Sequence, residues 1–311
     1  METAPFFADI AFGPEGGAAH WLTTSDGLRI RVAHWPLTGA RGTVLLFPGR
    51  TEYAEKYGDT ARELQARGYA SLAIDWRGQG LADRMMDDRR IGHVLDFADY
   101  QNDVTATVAH ADALGLPRPY YLVAHSMGGC IGLRALLNGL DVQAAAFSAP
   151  MWGLAMAAWL RPIAWTLPDL ARRIGRQDLL APGQTLDTYV LRESFDLNTL
   201  TRDKAMWERL QTQARAQPDM SLGGPSLGWL YAASREMRKL QDTPSPACPC
   251  LTFCGTAEKI VDPARIKDRM ARWPGGHLEM LPGAEHEVML EIPATRSKVF
   301  DMMAAHFDSH P

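Results

Sequence analysis

The chain has 311 residues, 46% of them hydrophobic and 22% charged, with a formal net charge of −4. That is an ordinary globular composition with enough apolar material for a core that needs no disulfide staples. It excludes the basic face that nucleic-acid binding requires. No stretch of about 20 uninterrupted apolar residues occurs, so no membrane span is expected; the nearest candidate, Met151 to Leu167, is broken by Arg161 and Pro162. The opening Met1-Glu-Thr-Ala-Pro has neither a positive n-region nor an apolar run, and a signal peptide is not expected.

In chain order, Leu28 to Trp35 follows a Ser25-Asp-Gly27 turn and reads as a hairpin strand. Thr43 to Phe47 is a short apolar run, as in a strand covered on both faces. A helix is expected over Glu55 to Arg67, stopped by Gly68. Strand Tyr69 to Ile74, helix Phe97 to Leu114, strand Tyr120 to Ala124, helix Met127 to Leu137 and strand Val142 to Phe147 follow. This alternation means parallel pairing with right-handed crossovers.

After Pro150 the pattern turns helical and rich in Trp, Met and Arg. Strands return at Cys250 to Cys254 and His277 to Leu281, with helices over Ala264 to Arg272 and Thr295 to His306. The expected architecture is an α/β core over 1–149 and 241–311 carrying a helical cap insertion over 150–240. An insertion of roughly 90 residues is too long for a structureless loop. Arg172, Arg173 and Arg176 within it read as a solvated helix face. The four cysteines include Cys248, Cys250 and Cys254 in one short segment. Their spacing fits no zinc signature, and they read as apolar residues of a buried strand.

The strongest chemical signal is Ala124-His-Ser-Met-Gly-Gly129, where a strand ends and a helix begins. A serine there occupies a sharp turn that lifts its hydroxyl above the sheet edge. Gly128 and Gly129 supply the small residues needed on the far side; on the near side Ala124 stands where Gly is usual. Ser126 needs a base to take its proton. His286 lies in the loop after the last strand, at the carboxyl edge of a parallel sheet, the same edge as Ser126. The acid that orients the imidazole is expected in Gly255-Thr-Ala-Glu-Lys-Ile-Val-Asp262, where Glu258 and Asp262 both satisfy the chain order Ser, acid, His. Glu258 is preferred, because Asp262 before Pro263 suits a helix N-cap. Two backbone amides must stabilise the oxyanion. Those of Met127 and Arg50 are the candidates, Arg50 lying in the loop Phe47-Pro-Gly-Arg-Thr-Glu52.

With these residues in place, the chain resembles the lysophospholipase L2 and monoacylglycerol lipase branch of the α/β-hydrolases, of the serine aminopeptidase S33 type. The resemblance rests on Pro48-Gly-Arg-Thr-Glu52, Asp75-Trp-Arg-Gly-Gln-Gly80, Gly92-His-Val94, Phe97-Ala-Asp-Tyr-Gln101, the serine elbow and Gly283-Ala-Glu-His-Glu287. Pro48 departs from the His-Gly that often opens the first motif, and Glu258 stands where Asp is usual. The resemblance implies a serine hydrolase acting on carboxylic esters with one acyl chain, a lysophospholipid or monoacylglycerol, with no cofactor and no metal. It also implies a cap whose Trp152, Trp159 and Trp165 line the acyl site or pack the cap onto the core. A cytoplasmic protein touching membrane surfaces transiently through its cap is the matching expectation. Two other readings stand beside it. An aminopeptidase or amidase of the same fold would need acidic cap residues such as Asp169, Asp187, Glu193 or Asp196 to hold an amine. A ligand-binding module of this fold would lack a triad member, whereas here every role can be filled.

Overall fold

The computed structural model describes residues 1–156 and 161–311, without the side chains of 161–165. Its strands are β1 (Glu2–Ala4), β2 (Ala18–Thr23), β3 (Arg29–Trp35), β4 (Thr43–Phe47), β5 (Ala70–Asp75), β6 (Tyr120–His125), β7 (Ala145–Ser148), β8 (Cys250–Gly255) and β9 (His277–Leu281). They form one sheet in the order β1-β2-β3-β5-β4-β6-β7-β8-β9. The pairs from β1 to β5 are antiparallel, and every pair from β5 through β4 to β9 is parallel.

The helices are α1 (Ala8–Ala11), α2 (Gly58–Ala66), α3 (Tyr100–Ala113), α4 (Met127–Leu137), α5 (Arg161–Arg173), α6 (Tyr189–Arg192), α7 (Lys204–Ala216), α8 (Leu227–Asp242), α9 (Pro263–Ala271) and α10 (Pro293–Asp308). The unbroken apolar run of β4 is explained by its two covered faces. Leu45 and Phe47 join one core with residues of α3, α4, α8 and α9. Val44 and Leu46 join another with residues of α2 and α10. Alternate side chains of a strand point to opposite faces, so both must be apolar. Cys250 and Cys254 are buried in β8 by the same logic, and burial pushes the Cys254 thiol up to about 12.

Two strands, β1 and β2, were not legible as periodic runs. β2 is only half buried along most of its length, and its signal is indirect: a hairpin strand after the Gly27 turn needs a partner before it. β7 starts later than the apolar run at Val142 suggests, because residues 142–144 lead into the sheet through loop bonds such as Gln143 N–H to the Tyr120 carbonyl. Between β7 and β8 lie α5 to α8. Of these, α8 buries Trp229, Ala233, Met237 and Leu240 in the same core as β4 and β6, which ties the helical segment to the sheet.

His20 on β2 stacks on His34 of β3 and meets His110 of α3 edge-on, with the His110 Nε2 3.2 Å from the His20 Nδ1. Burial holds all three below the ordinary histidine range, His110 at about 4. A group whose folded pKa is depressed binds more protons when unfolded, so stability falls as pH drops from about 6.5 toward 4. Thermal melts at pH 7 and pH 5 are expected to differ by a few degrees, and His110→Gln should reduce that difference.

Candidate active site

β6 is buried along its whole length and ends at His125; Ser126 follows as the single residue before α4. Ser126 takes φ 49° and ψ −115°, a backbone region that costs a non-glycine residue about 1–3 kcal/mol. The surroundings hold it there. Its N–H donates to the Ser148 carbonyl (3.0 Å), and its own carbonyl accepts from Gly129 (2.9 Å) and Met151 (2.8 Å). The turn needs close approach: a Cβ at Gly128 would lie 2.0 Å from the Phe47 carbonyl oxygen, and one at Gly129 2.5 Å from the Pro150 Cβ. Ala124 is accommodated because α4 presents Gly132 opposite it; a Cβ there would stand 3.2 Å from the Ala124 Cβ. Gly128→Ala is therefore expected to cost about 1–3 kcal/mol or more, read as a lowered denaturant midpoint together with lost activity.

The loop after β9 brings His286 to this turn. Its Nε2 lies 2.9 Å from Ser126 Oγ, and its Nδ1 lies 2.7 Å from Glu258 Oε2. The other Glu258 oxygen accepts the Ile260 (2.6 Å) and Val261 (3.1 Å) amides. Burial alone would raise the Glu258 carboxyl, but His286 and those two amides bring it below its ordinary value. Gly255 at the end of β8 lets the histidine loop close, since a Cβ there would meet the Ala284 carbonyl oxygen at 2.0 Å. From the helical segment, the Leu200 carbonyl accepts the Glu287 amide (2.8 Å) and pins the loop. Asp262 lies outside this row. It is the N-cap of α9, accepting the Ala264 amide (2.9 Å) before Pro263.

The Pro48 to Glu52 loop borders the serine. The Asp75 to Gly80 motif shapes it: Trp76 Nε1 donates to the Pro48 carbonyl (2.9 Å) and Gln79 Nε2 to the Gly49 carbonyl (2.7 Å). Asp75 itself is held by buried Arg31, which also meets Glu55, and it accepts the Ala54 and Leu81 amides. The Arg50 and Met127 amides have no protein acceptor among the described residues.

Sequence reading assigned no role to Glu52, Lys56 and Glu287, although two of them sit inside quoted motifs. Lys56 Nζ bridges the Glu52 and Glu287 carboxylates. The ring of His125 packs 4.8 Å from that of His286, and its Nε2 lies 3.3 Å from Glu287. Burial lowers the His125 pKa, but Glu287 and Glu52 outweigh it and raise the group. This buried set packs against the loop that carries His286. Glu52, His125 and Glu287 come close enough together for a metal site, but Lys56 already supplies the cation there.

Ser126 and His286 open into a cavity of about 470 Å³, walled by Met151, Leu154, Tyr189, Leu222, Trp229 and Leu230, and bordered by Arg50. That size suits one small ligand. Trp152 does not line it; of the two roles expected of it, lining or packing, it takes packing. Its indole is buried against Phe147 and Trp273, and its Nε1 donates to the Gly129 carbonyl (3.1 Å); packing the elbow helix claimed this tryptophan. Trp159 and the Trp165 side chain lie outside the described residues.

A mostly parallel sheet flanked by helices, with a serine on a strained strand-to-helix turn and helices inserted after β7, is the α/β-hydrolase fold. The pattern of the serine aminopeptidase S33 family matches residues 38–293, and the chain belongs to that family. It is a hydrolase. It is 28% identical to lysophospholipase L2 of Escherichia coli over 300 residues, covering 93% of this chain and 87% of that one. It is 25% identical to human monoglyceride lipase over 290 residues, covering 90% and 86%. A solved structure of a soluble variant of monoglyceride lipase from Saccharomyces cerevisiae, in complex with a substrate analog, superposes with a TM-score of 0.72 at 24% identity, covering 93% of this chain and 94% of that one.

Proposed function

We propose that the chain hydrolyses carboxylic esters bearing a single acyl chain, a lysophospholipid or a monoacylglycerol. The observation that carries this reading is the continuous hydrogen-bonded row Ser126–His286–Glu258 opening into a largely apolar cavity. Ser126 attacks the ester carbonyl while His286 takes its proton, and Glu258 holds the ring in the required tautomer and stabilises its charged form. The Arg50 and Met127 amides receive the oxyanion. His286 returns the proton to the leaving alcohol, then activates water to cleave the acyl-enzyme. We assign residues 150–240 as the cap that encloses the acyl chain.

No helix among the described residues is long and apolar enough to cross a membrane. Exposed Leu170, Ile174 and Leu179 stand beside exposed Arg172, Arg173 and Arg176. Such a mixed apolar and basic surface suits transient contact with anionic lipid. A second reading, cleavage of aminoacyl substrates, draws on the family and on Asp187, which borders the cavity. Asp169 and Glu193 do not serve it well, being paired with Arg173 and Arg192.

The test is fluorophosphonate labelling followed by a panel of monoacyl esters of graded chain length and aminoacyl p-nitroanilides. Turnover rising with chain length supports the ester reading. Labelling with turnover of the anilides alone selects the second.

A further inference from the structure

Most of the buried or half-buried cations among the described residues have carboxylate partners. Arg31 meets Glu55 and Asp75, Arg77 meets Asp26 and Asp103, and Lys56 meets Glu52 and Glu287. Arg84 and Arg269 lack a carboxylate, but main-chain carbonyls take their donors. Arg50 has no carboxylate partner among the described residues and a single main-chain acceptor. Its Nη2 donates to the Gly223 carbonyl (2.5 Å), and its guanidinium stands 5.3 Å from the Trp229 ring centre. Its Nε is buried with no acceptor, and among the described residues its Nη1 has none either. The side chain borders the same cavity as Ser126 and His286.

A half-buried guanidinium with one buried donor unsatisfied, and with no carboxylate partner among the described residues, is costly to keep. A phosphate oxygen at the open Nη1 supplies the missing counter-charge through a charge-assisted hydrogen bond. Burial lowers the Arg50 pKa to about 10, which leaves the group charged at neutral pH. Its position adds a geometric reason. The Arg50 amide belongs to the loop proposed to hold the ester oxyanion, so its side chain starts beside the scissile carbonyl. In a lysophospholipid the ester and the phosphate are joined through one glycerol unit.

We propose that the Arg50 guanidinium selects the head group, pairing with the phosphodiester anion of a lysophospholipid whose ester lies at Ser126. This rests on the ester-hydrolase reading and narrows it: lysophospholipids are preferred over monoacylglycerols of the same chain length.

The test compares kcat/KM for palmitoyl lysophosphatidylglycerol and monopalmitoylglycerol in the same neutral micelles, in wild type, Arg50→Lys and Arg50→Gln. The ratio of the two is the readout, because damage to the oxyanion loop or the cap lowers both esters together and leaves the ratio fixed. Arg50→Gln is expected to lower the ratio at least about tenfold, the worth of a charge-assisted hydrogen bond, chiefly through KM, with Arg50→Lys in between. A ratio within about twofold of wild type overturns the proposal and reduces Arg50 to a tether for Gly223 and Trp229. Wild type cleaving neither ester overturns the ester reading and this proposal together. Should the variants fail to fold, the wild type alone decides. The hexadecyl-ether analogue of lysophosphatidylglycerol is expected to inhibit at least about tenfold more tightly than hexadecyl glyceryl ether, and equal inhibition overturns the proposal.

Discussion

Ser126→Ala is expected to lower kcat on any ester substrate by about 10⁵–10⁶-fold, the loss seen when a triad nucleophile is removed, and to abolish fluorophosphonate labelling. The fold should survive. The strained turn is held by main-chain bonds to Ser148, Gly129 and Met151, whereas the hydroxyl itself contacts His286. Its removal deletes a nucleophile without opening the elbow, and the melting temperature should stay within a few degrees of wild type. Residual turnover above about 1% of wild type would show that another group attacks the carbonyl, since amides and binding alone leave far less than that. Scanning calorimetry beside the kinetic assay separates the outcomes.

The second large effect is expected at Glu258. Glu258→Gln keeps the size of the side chain and can still accept the Ile260 and Val261 amides through its remaining oxygen. It then presents an N–H₂ to His286 Nδ1, where the carboxylate now accepts at 2.7 Å. Two donors cannot share that contact, so the ring is driven to the tautomer whose Nε2 carries the proton and cannot receive one from Ser126. A loss of about 10⁴-fold in kcat is expected, as for the equivalent change in other triads. Asp262→Asn should leave kcat within about twofold of wild type and stability within a few tenths of a kcal/mol, because Asn caps a helix as well as Asp. The reverse order of effects would transfer the acid role to Asp262 and contradict the row built at Glu258.

Much of this could be read in advance, and the reason differs from element to element. The parallel strands were legible because burial on both faces writes an unbroken apolar run, as in Thr43 to Phe47. The elbow was legible because its turn admits only small neighbours, and glycines at 128 and 129 follow directly from the approach of Phe47 and Pro150. His286 could be placed by topology, since loops after parallel strands share one edge of the sheet. The weak places were those where a residue's partner is distant in sequence. β2 shows little periodicity because its pairing, not its burial, makes it a strand. Trp152 looked like a pocket residue by composition, yet its partners Gly129, Phe147 and Trp273 come from three separate segments. Glu52 and Glu287 sat in motifs whose use became visible only when Lys56 and His125 were found between them.

By itself, then, the sequence determined the fold class, the nucleophile and base candidates and a choice of two acids, because each depends on local constraints: alternation, small residues at a turn, order along the chain. Tertiary structure decided the rest. It separated Glu258 from Asp262 by what each carboxylate accepts, it took Trp152 out of the cavity, and it set Arg50 on the border of that cavity with no carboxylate partner among the described residues. Those are outcomes of long-range packing, where a side chain's role is set by whichever groups the fold brings within hydrogen-bonding distance, and no local pattern records that.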